Sequence, residues 1–363
     1  MEERQKVGIV YAATAALFVI GSLVLSFTGL GNSLGMLPRL FVSQALVAAP
    51  GAVYLWLNRK QCKIAEQLRF HKIRPVNVIL LILLTYCILP LMAVINAVSL
   101  QFTDNAVSGM MTSVTGNYPL FAGLIGIALV PCILEESVYR GIFFNTFRKI
   151  NVRRGILLSG LLFGLMHMNL NQFCYAFAMG CIFAIVIEAT DSILSTMIMH
   201  FVLNANSTIL LYVLTKLQAY MKSHQDEFSQ IMGDTDTSEI LGQATEQMND
   251  ASVLAGVTVV WAVIAIVPTI LAVILVIYIA RNQGREEHLR SIFSSKKRLA
   301  EQMEAGMQQS GQIWENGEMF TNEQMRRDES MSQSEPERGG RLFSVPLIIG
   351  MCICVGMIIW QLL

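Results

Sequence analysis

Nine long apolar stretches, with almost no charge inside them, decide what this chain can become. They fall at about 7–30, 40–57, 76–100, 120–144, 155–170, 173–188, 193–214, 251–280 and 342–363. A helix needs roughly 20 apolar residues to cross a hydrocarbon core of ~30 Å, and most of these runs meet that length; 155–170 and 173–188 are the shortest. Only 14% of the 363 residues are charged and the mean hydropathy is +0.53, whereas a soluble chain carries about 25% charged residues. The sequence therefore predicts an all-α, polytopic membrane helix bundle of about nine helices. Its formal net charge of zero points to no partner of either sign, and nothing suggests nucleic acid. The seven cysteines form no CxxC pair, so neither a disulfide framework nor a thiolate zinc site is indicated. The first apolar run exceeds the 7–15 residues of a signal-peptide core and reads as a retained anchor.

Loop charge orients the bundle. Residues 58–75 carry six Lys/Arg, 145–154 carry four and 281–341 carry ten, whereas 101–119 carries none and 215–250 only Lys216 and Lys222 against seven acids. By the positive-inside rule this predicts a multi-pass protein of the cell membrane with a cytoplasmic N-terminus. The organisation expected is N-terminal helices over 1–116, a core over 117–214, an acidic outer loop over 215–250, a helix over 251–280, a cytoplasmic linker over 281–341 and a final helix over 342–363. In the linker, Leu289, Ile292, Phe293, Leu299 and Met303 alternate with Lys296, Lys297 and Arg298. That pattern predicts a basic amphipathic helix on the anionic inner leaflet, followed by a disordered tether.

Polar residues inside apolar runs are expensive and mark function or partners. The run 120–144 holds adjacent carboxylates, Glu135 and Glu136, with Arg140 beyond them. At ~100° per residue Glu136 and Arg140 lie ~40° apart on one helix face, while Glu135 and Arg140 lie ~140° apart. Glu136 and Arg140 are thus expected to form an i,i+4 ion pair, leaving Glu135 for chemistry. Pro131 removes a backbone donor and disturbs the carbonyl of residue 127. Phe163 and His167 share a face of the run 155–170, and His200 and Asn204 share one in 193–214. Counted from the run ends at ~1.5 Å per residue, Glu135, His200 and His167 lie ~14, ~10 and ~18 Å deep, near one layer. Glu188 and Asp191 read as interfacial; His71, His224 and His288 read as surface residues. A polar cavity open toward the cytoplasmic half is expected among the core helices.

The patterns Glu135-Glu136-Ser137-Val138-Tyr139-Arg140 (EExxxR), Phe163-Gly164-Leu165-Met166-His167 (FxxxH) and His200-Phe201-Val202-Leu203-Asn204 (HxxxN) together resemble the CAAX protease and bacteriocin-processing (CPBP, or Abi) family of intramembrane proteases, including type II CAAX prenyl endopeptidases. The resemblance covers about 117–214. It implies hydrolysis of peptide bonds within the membrane, with Glu135 and His167 activating a water, His200 and Asn204 stabilising the oxyanion, and Glu136, Arg140 and Phe163 in support. It leaves open a zinc ion held by Glu135, His167 and His200, or no metal at all. Membrane lipids and hydrophobic or lipid-modified peptides are the partners it implies. The competing readings are a bacteriocin self-immunity protein that binds without catalysis, and a proton-coupled transporter. Against the transporter, the sequence shows no repeated halves.

Overall fold

The computed structural model describes residues 2–60, 63–103, 105–224, 251–294 and 342–363, and every regular element among them is helical. In chain order these are α1 (Glu3–Phe27), α2 (Met36–Asn58), α3 (Pro75–Ser99), α4 (Ala106–Asn117), α5 (Leu120–Phe147), α6 (Val152–Met166), α7 (Leu170–Thr190), α8 (Ile193–Ser223), α9 (Ala251–Asn282), α10 (Glu286–Phe293) and α11 (Val345–Leu362). Single helical turns occupy Leu30–Ser33 and Ile64–Gln67.

Local chemistry sets several of these boundaries. Pro75 opens α3, where its missing N–H costs nothing and its fixed φ suits a first turn. Asn151, Asn169 and Ser192 cap α6, α7 and α8, their side-chain oxygens accepting from the backbone N–H groups of Arg154, Gln172 and Leu194.

Eight described helices are long and apolar enough to cross a membrane: α1, α2, α3, α5, α7, α8, α9 and α11. The ninth expected run, 155–170, folds as the 15-residue α6, ~22 Å long at 1.5 Å per residue. It stops because Met168 adopts a left-handed conformation, φ 51°, which an L side chain enters only at a cost. Ten of the fifteen α6 residues are buried, making it the centre of the bundle. Two glycines let α7 approach it. A Cβ on Gly160 would lie 2.9 Å from the Phe177 carbonyl oxygen, and one on Gly164 would lie 3.0 Å from that of Phe173, the small-xxx-small packing common between membrane helices.

The outer helices pair around this centre: α1 with α2 and α11, and α3 with α9. Tyr11 of α1 donates to the Leu162 carbonyl of α6 at 3.2 Å. Asn77 of α3 exchanges amide hydrogen bonds with Asn282 and Gln283 at the end of α9, at 2.7 and 2.8 Å. Two features were not foreseen. Residues 106–117 form a helix in the segment 101–119 that carries no Lys or Arg, and α8 runs nine residues past the expected limit of 214.

The basic end of the bundle adds partners that the sequence reading lacked. Glu188, expected at an interface, has a side chain with no exposure. It accepts from Arg148 Nε and Nη2 at 2.5 and 2.7 Å, from His288 Nε2 at 2.6 Å and from Arg69 Nη1 at 3.3 Å. His288, expected at the surface, is thus tied to a buried carboxylate, while His71 is exposed as expected and its Nδ1 lies 3.1 Å from Asp191 Oδ2. Asp191 also pairs with Arg69. The counter-charges come from distant segments, which spacing along the chain does not reveal. The described start of the expected amphipathic helix, α10, packs on the bundle: Leu289 and Ile292 are buried against Phe144, Ile156, Ala184 and Ile187. Arg153 holds the backbone carbonyls of Ile292 and Ser294. The expected tether over 295–341, with Leu299, Met303 and Lys296–Arg298, lies outside the described residues, as does most of the acidic loop, 225–250.

Candidate active site

Helix α5 is regular only in part. Leu124–Leu129 and Ser137–Phe144 wind as π-helix, with an α-helical turn, Val130–Glu136, between them. Single π-turns are uncommon and gather at functional sites because they widen the helix and re-aim side chains. Here they flank Glu135 and Glu136.

Arg140 Nη1 donates to Glu136 Oε1 at 3.0 Å, and both side chains are fully buried. The guanidinium also lies 4.3 Å from the Phe163 ring centroid and 5.1 Å from that of Phe183. Two aromatic faces thus offset part of its desolvation. His200 Nδ1 lies 2.9 Å from the same Glu136 oxygen. A carboxylate can only accept there, so that nitrogen carries the proton and donates. Glu136 is therefore anchored by a cation and an imidazole, as the helical spacing predicts for Arg140.

Glu135 points elsewhere and retains 14% side-chain exposure. Its Oε1 accepts from Gln44 Nε2 of α2 at 2.8 Å, and its Oε2 lies 3.9 Å from His200 Nε2. His167 caps the end of α6, where its Nδ1 is 2.9 Å from the Phe163 carbonyl oxygen. That acceptor assigns the proton to Nδ1 and leaves Nε2 free. The Phe163 ring packs edge-on against both imidazoles, with centroids 5.0 Å from His167 and 6.1 Å from His200. His167 is also within electrostatic reach of Glu135. On α8, one turn beyond His200, Asn204 Nδ2 donates to the Ile127 carbonyl at 3.0 Å. An α-helix would bond that carbonyl to the N–H of residue 131, which is a proline.

Helices α5, α6 and α8 thus gather the side chains singled out from sequence. Two further residues escaped notice. Gln44 is one amide in the apolar run 40–57, and only its polarity at membrane depth signals it. Tyr139 lies one turn beyond Glu135; its ring packs 5.0 Å from that of Phe163, and its hydroxyl is buried without a hydrogen-bond partner. A 340 Å³ polar cavity opens farther along α5, beside Gly141, Ile142 and Asn145, and a 1330 Å³ apolar cleft runs between α3, α7 and α9 down to α10. Neither is lined by a motif residue.

Zinc held by two imidazoles and a carboxylate needs donor atoms ~2.0–2.2 Å from one point. Among the described residues no three His, Cys, Asp or Glu side chains converge in that way. The set Glu135, His167 and His200 does not fit a metal ion in this geometry.

The molecule is a polytopic, all-helical membrane protein with a polar site held among its helices. Residues 117–206 match the model of the type II CAAX prenyl endopeptidase Rce1-like family, the group whose motifs this segment resembles. The match runs from the last residue of α4 through α5 to just beyond Asn204. No curated protein and no solved structure matches the chain.

Proposed function

We propose that the chain is an intramembrane endopeptidase that cleaves hydrophobic or lipid-modified peptides with a water activated by Glu135. The observation that carries this reading is the separation of the two glutamates. Glu136 is fully buried and takes both Arg140 and His200 on Oε1, its Oε2 sealed from solvent without a partner, whereas Glu135 is 14% exposed and its Oε2 faces the 3.9 Å gap to His200 Nε2. A spacing of that size suits a bridging water.

In the first step the water loses a proton to Glu135 Oε2 while its oxygen bonds the scissile carbonyl carbon, and the carbonyl π electrons move onto oxygen. His167 Nε2 helps orient the water. The second N–H of Asn204 stabilises the oxyanion, joined by His200 in its imidazolium form, which alone puts a proton on Nε2 while Nδ1–H stays on Glu136; a donor of this kind is worth ~3–4 kcal/mol in well-characterised hydrolases. In the second step the C–N bond breaks and Glu135 returns its proton to the departing amine. Glu136, its charge balanced by Arg140, fixes the His200 ring through Nδ1 and sets which nitrogen faces the reaction. The name of the matching family describes endopeptidases acting on prenylated CAAX sequences, so a prenylated C-terminal peptide is the first substrate class to try.

The test uses purified protein in detergent with a pool of hydrophobic peptides, some with a prenylated CAAX tail, and mass spectrometry of new termini. Cleavage is expected from the parent and from Glu287→Gln, an exposed control, and not from Glu135→Ala or His167→Ala. Peptide retained but uncut by the parent would favour the binding-only, immunity reading.

A further inference from the structure

We infer that Gln44 is a positioning residue for the Glu135 carboxylate, supplied by a helix outside the 117–206 family match; the inference rests on the proteolytic reading above. Gln44 sits in α2, ninety-one residues from Glu135 in sequence, and donates through Nε2 to Glu135 Oε1 at 2.8 Å. The donor assignment follows from chemistry: the opposite amide orientation would set a carbonyl oxygen against a carboxylate.

An amide in a membrane helix is often simple interhelical glue. Gln44 does not have the form of glue. Its Oε1 is buried with no hydrogen-bond partner, so the side chain is not placed to satisfy both of its own ends. Leaving an acceptor unmet inside the bundle is costly. The amide is oriented for the benefit of the carboxylate.

The geometry states what that benefit is. A Glu side chain ends in a torsion with broad minima, so an unrestrained carboxylate swings. Pinning Oε1 from the α2 side leaves Oε2 as the oxygen that faces His200 Nε2. The platform is rigid because Gly51, two turns further along α2, lets that helix close on α5: a Cβ there would lie 2.9 Å from Val138 Cγ2 and 3.2 Å from Ile142 Cδ1. A base misplaced by about 1 Å loses about 10²-fold in rate. Gln44 is thus to Glu135 what Glu136 is to His200.

Gln44→Met keeps the length and removes the donor; Gln44→Glu keeps the shape but sets a second carboxyl against Glu135, where the two share one proton and the base is blocked. Each is assayed on whichever peptide the parent cleaves, with kcat, KM and the melting temperature in detergent all measured. Expected for Gln44→Met is a fall in kcat of about 10- to 10²-fold, with KM within about twofold and the melting temperature within a few degrees. Gln44→Glu is expected to lose at least as much kcat, and it carries the test if Gln44→Met fails to fold. Parental kcat in either variant overturns the inference, as does a loss of kcat that only tracks a lowered melting temperature. Glu135→Gln separates the two levels. If it is inactive while Gln44→Met is parental, the positioning role alone fails. If Glu135→Gln stays active, or the parent cleaves nothing, the proteolytic reading fails and this inference with it.

Discussion

The side-chain amide of Asn204 donates to the Ile127 carbonyl at 3.0 Å, so a motif residue of α8 occupies the acceptor that Pro131 leaves without its usual helical donor. The residue has two duties, one to the backbone of α5 and one to the proposed oxyanion. Asn204→Leu is expected to cost about 1–2 kcal/mol of stability as well as turnover. Thermal unfolding in detergent and the peptide assay, run on the same sample, check both; parental melting would show that the Ile127 contact carries little.

Arg140 is fully buried and pairs with an equally buried Glu136. Its removal would strand Glu136 as an unpaired buried acid, and breaking a buried pair in this way costs about 3–5 kcal/mol. Arg140→Ala is expected to reduce the yield of folded protein. Arg140→Lys keeps the charge but not the flat surface stacked between Phe163 and Phe183, so recovery is expected to be partial. Full recovery would reduce the contact to charge alone.

Glu188 joins the ends of α5, α7 and α10, and replacing it leaves Arg148 and His288 without their acceptor. Glu188→Ala is expected to release α10, read as faster hydrogen exchange over 286–293 than in the parent. Unchanged exchange there would mean that Leu289, Ile292 and the Arg153 bonds to the Ile292 and Ser294 carbonyls hold the helix without the Glu188 carboxylate.

Asp191, between α7 and α8, gives the same end a pH dependence. Burial pulls its carboxyl upward, but Arg69 above all, with Arg285 and His71, outweighs burial and holds it below the ordinary 3.8. A group whose folded value is depressed lends stability that is fully present above the unfolded value and is lost as pH falls through the folded one. The melting temperature is therefore expected to hold down to about pH 4 and to decline below it, with a shallower acid decline in Asp191→Asn. Identical acid slopes would remove Asp191 from the account.

The close contact between α6 and α7 leaves no room for a branched side chain at Gly160, where backbone atoms of Phe177 and Cys181 stand 2.9 and 3.1 Å from an added Cβ. Gly160→Val is expected to destabilise by about 1–3 kcal/mol, measured by thermal unfolding, and to impair cleavage through the displaced His167.

What the sequence made legible follows from spacing. Glu136 and Arg140 were predictable partners because four residues is one helical turn, and the same arithmetic paired Phe163 with His167 and His200 with Asn204. Pro131 announced an unmet carbonyl at 127, though nothing in the pattern said that Asn204 would meet it. Gln44 was illegible because its distance in sequence from Glu135 follows from how α2 packs, not from any helical period. The partners of Glu188 were hidden for the same reason: Arg69, Arg148 and His288 approach it from remote segments. The early stop of α6 was hidden because Met168 is as apolar as a continuing helix would require, and only its backbone conformation ends the run.

The shortness of α6 has a consequence for what surrounds it. At ~22 Å against a hydrocarbon thickness of ~30 Å, the helix is too short to cross alone, and beyond His167 the chain turns through Met168 and Asn169, both buried among neighbouring helices. The imidazole at that end is thereby stationed inside the protein, and a nucleophile has to arrive between helices instead of along the axis of α6.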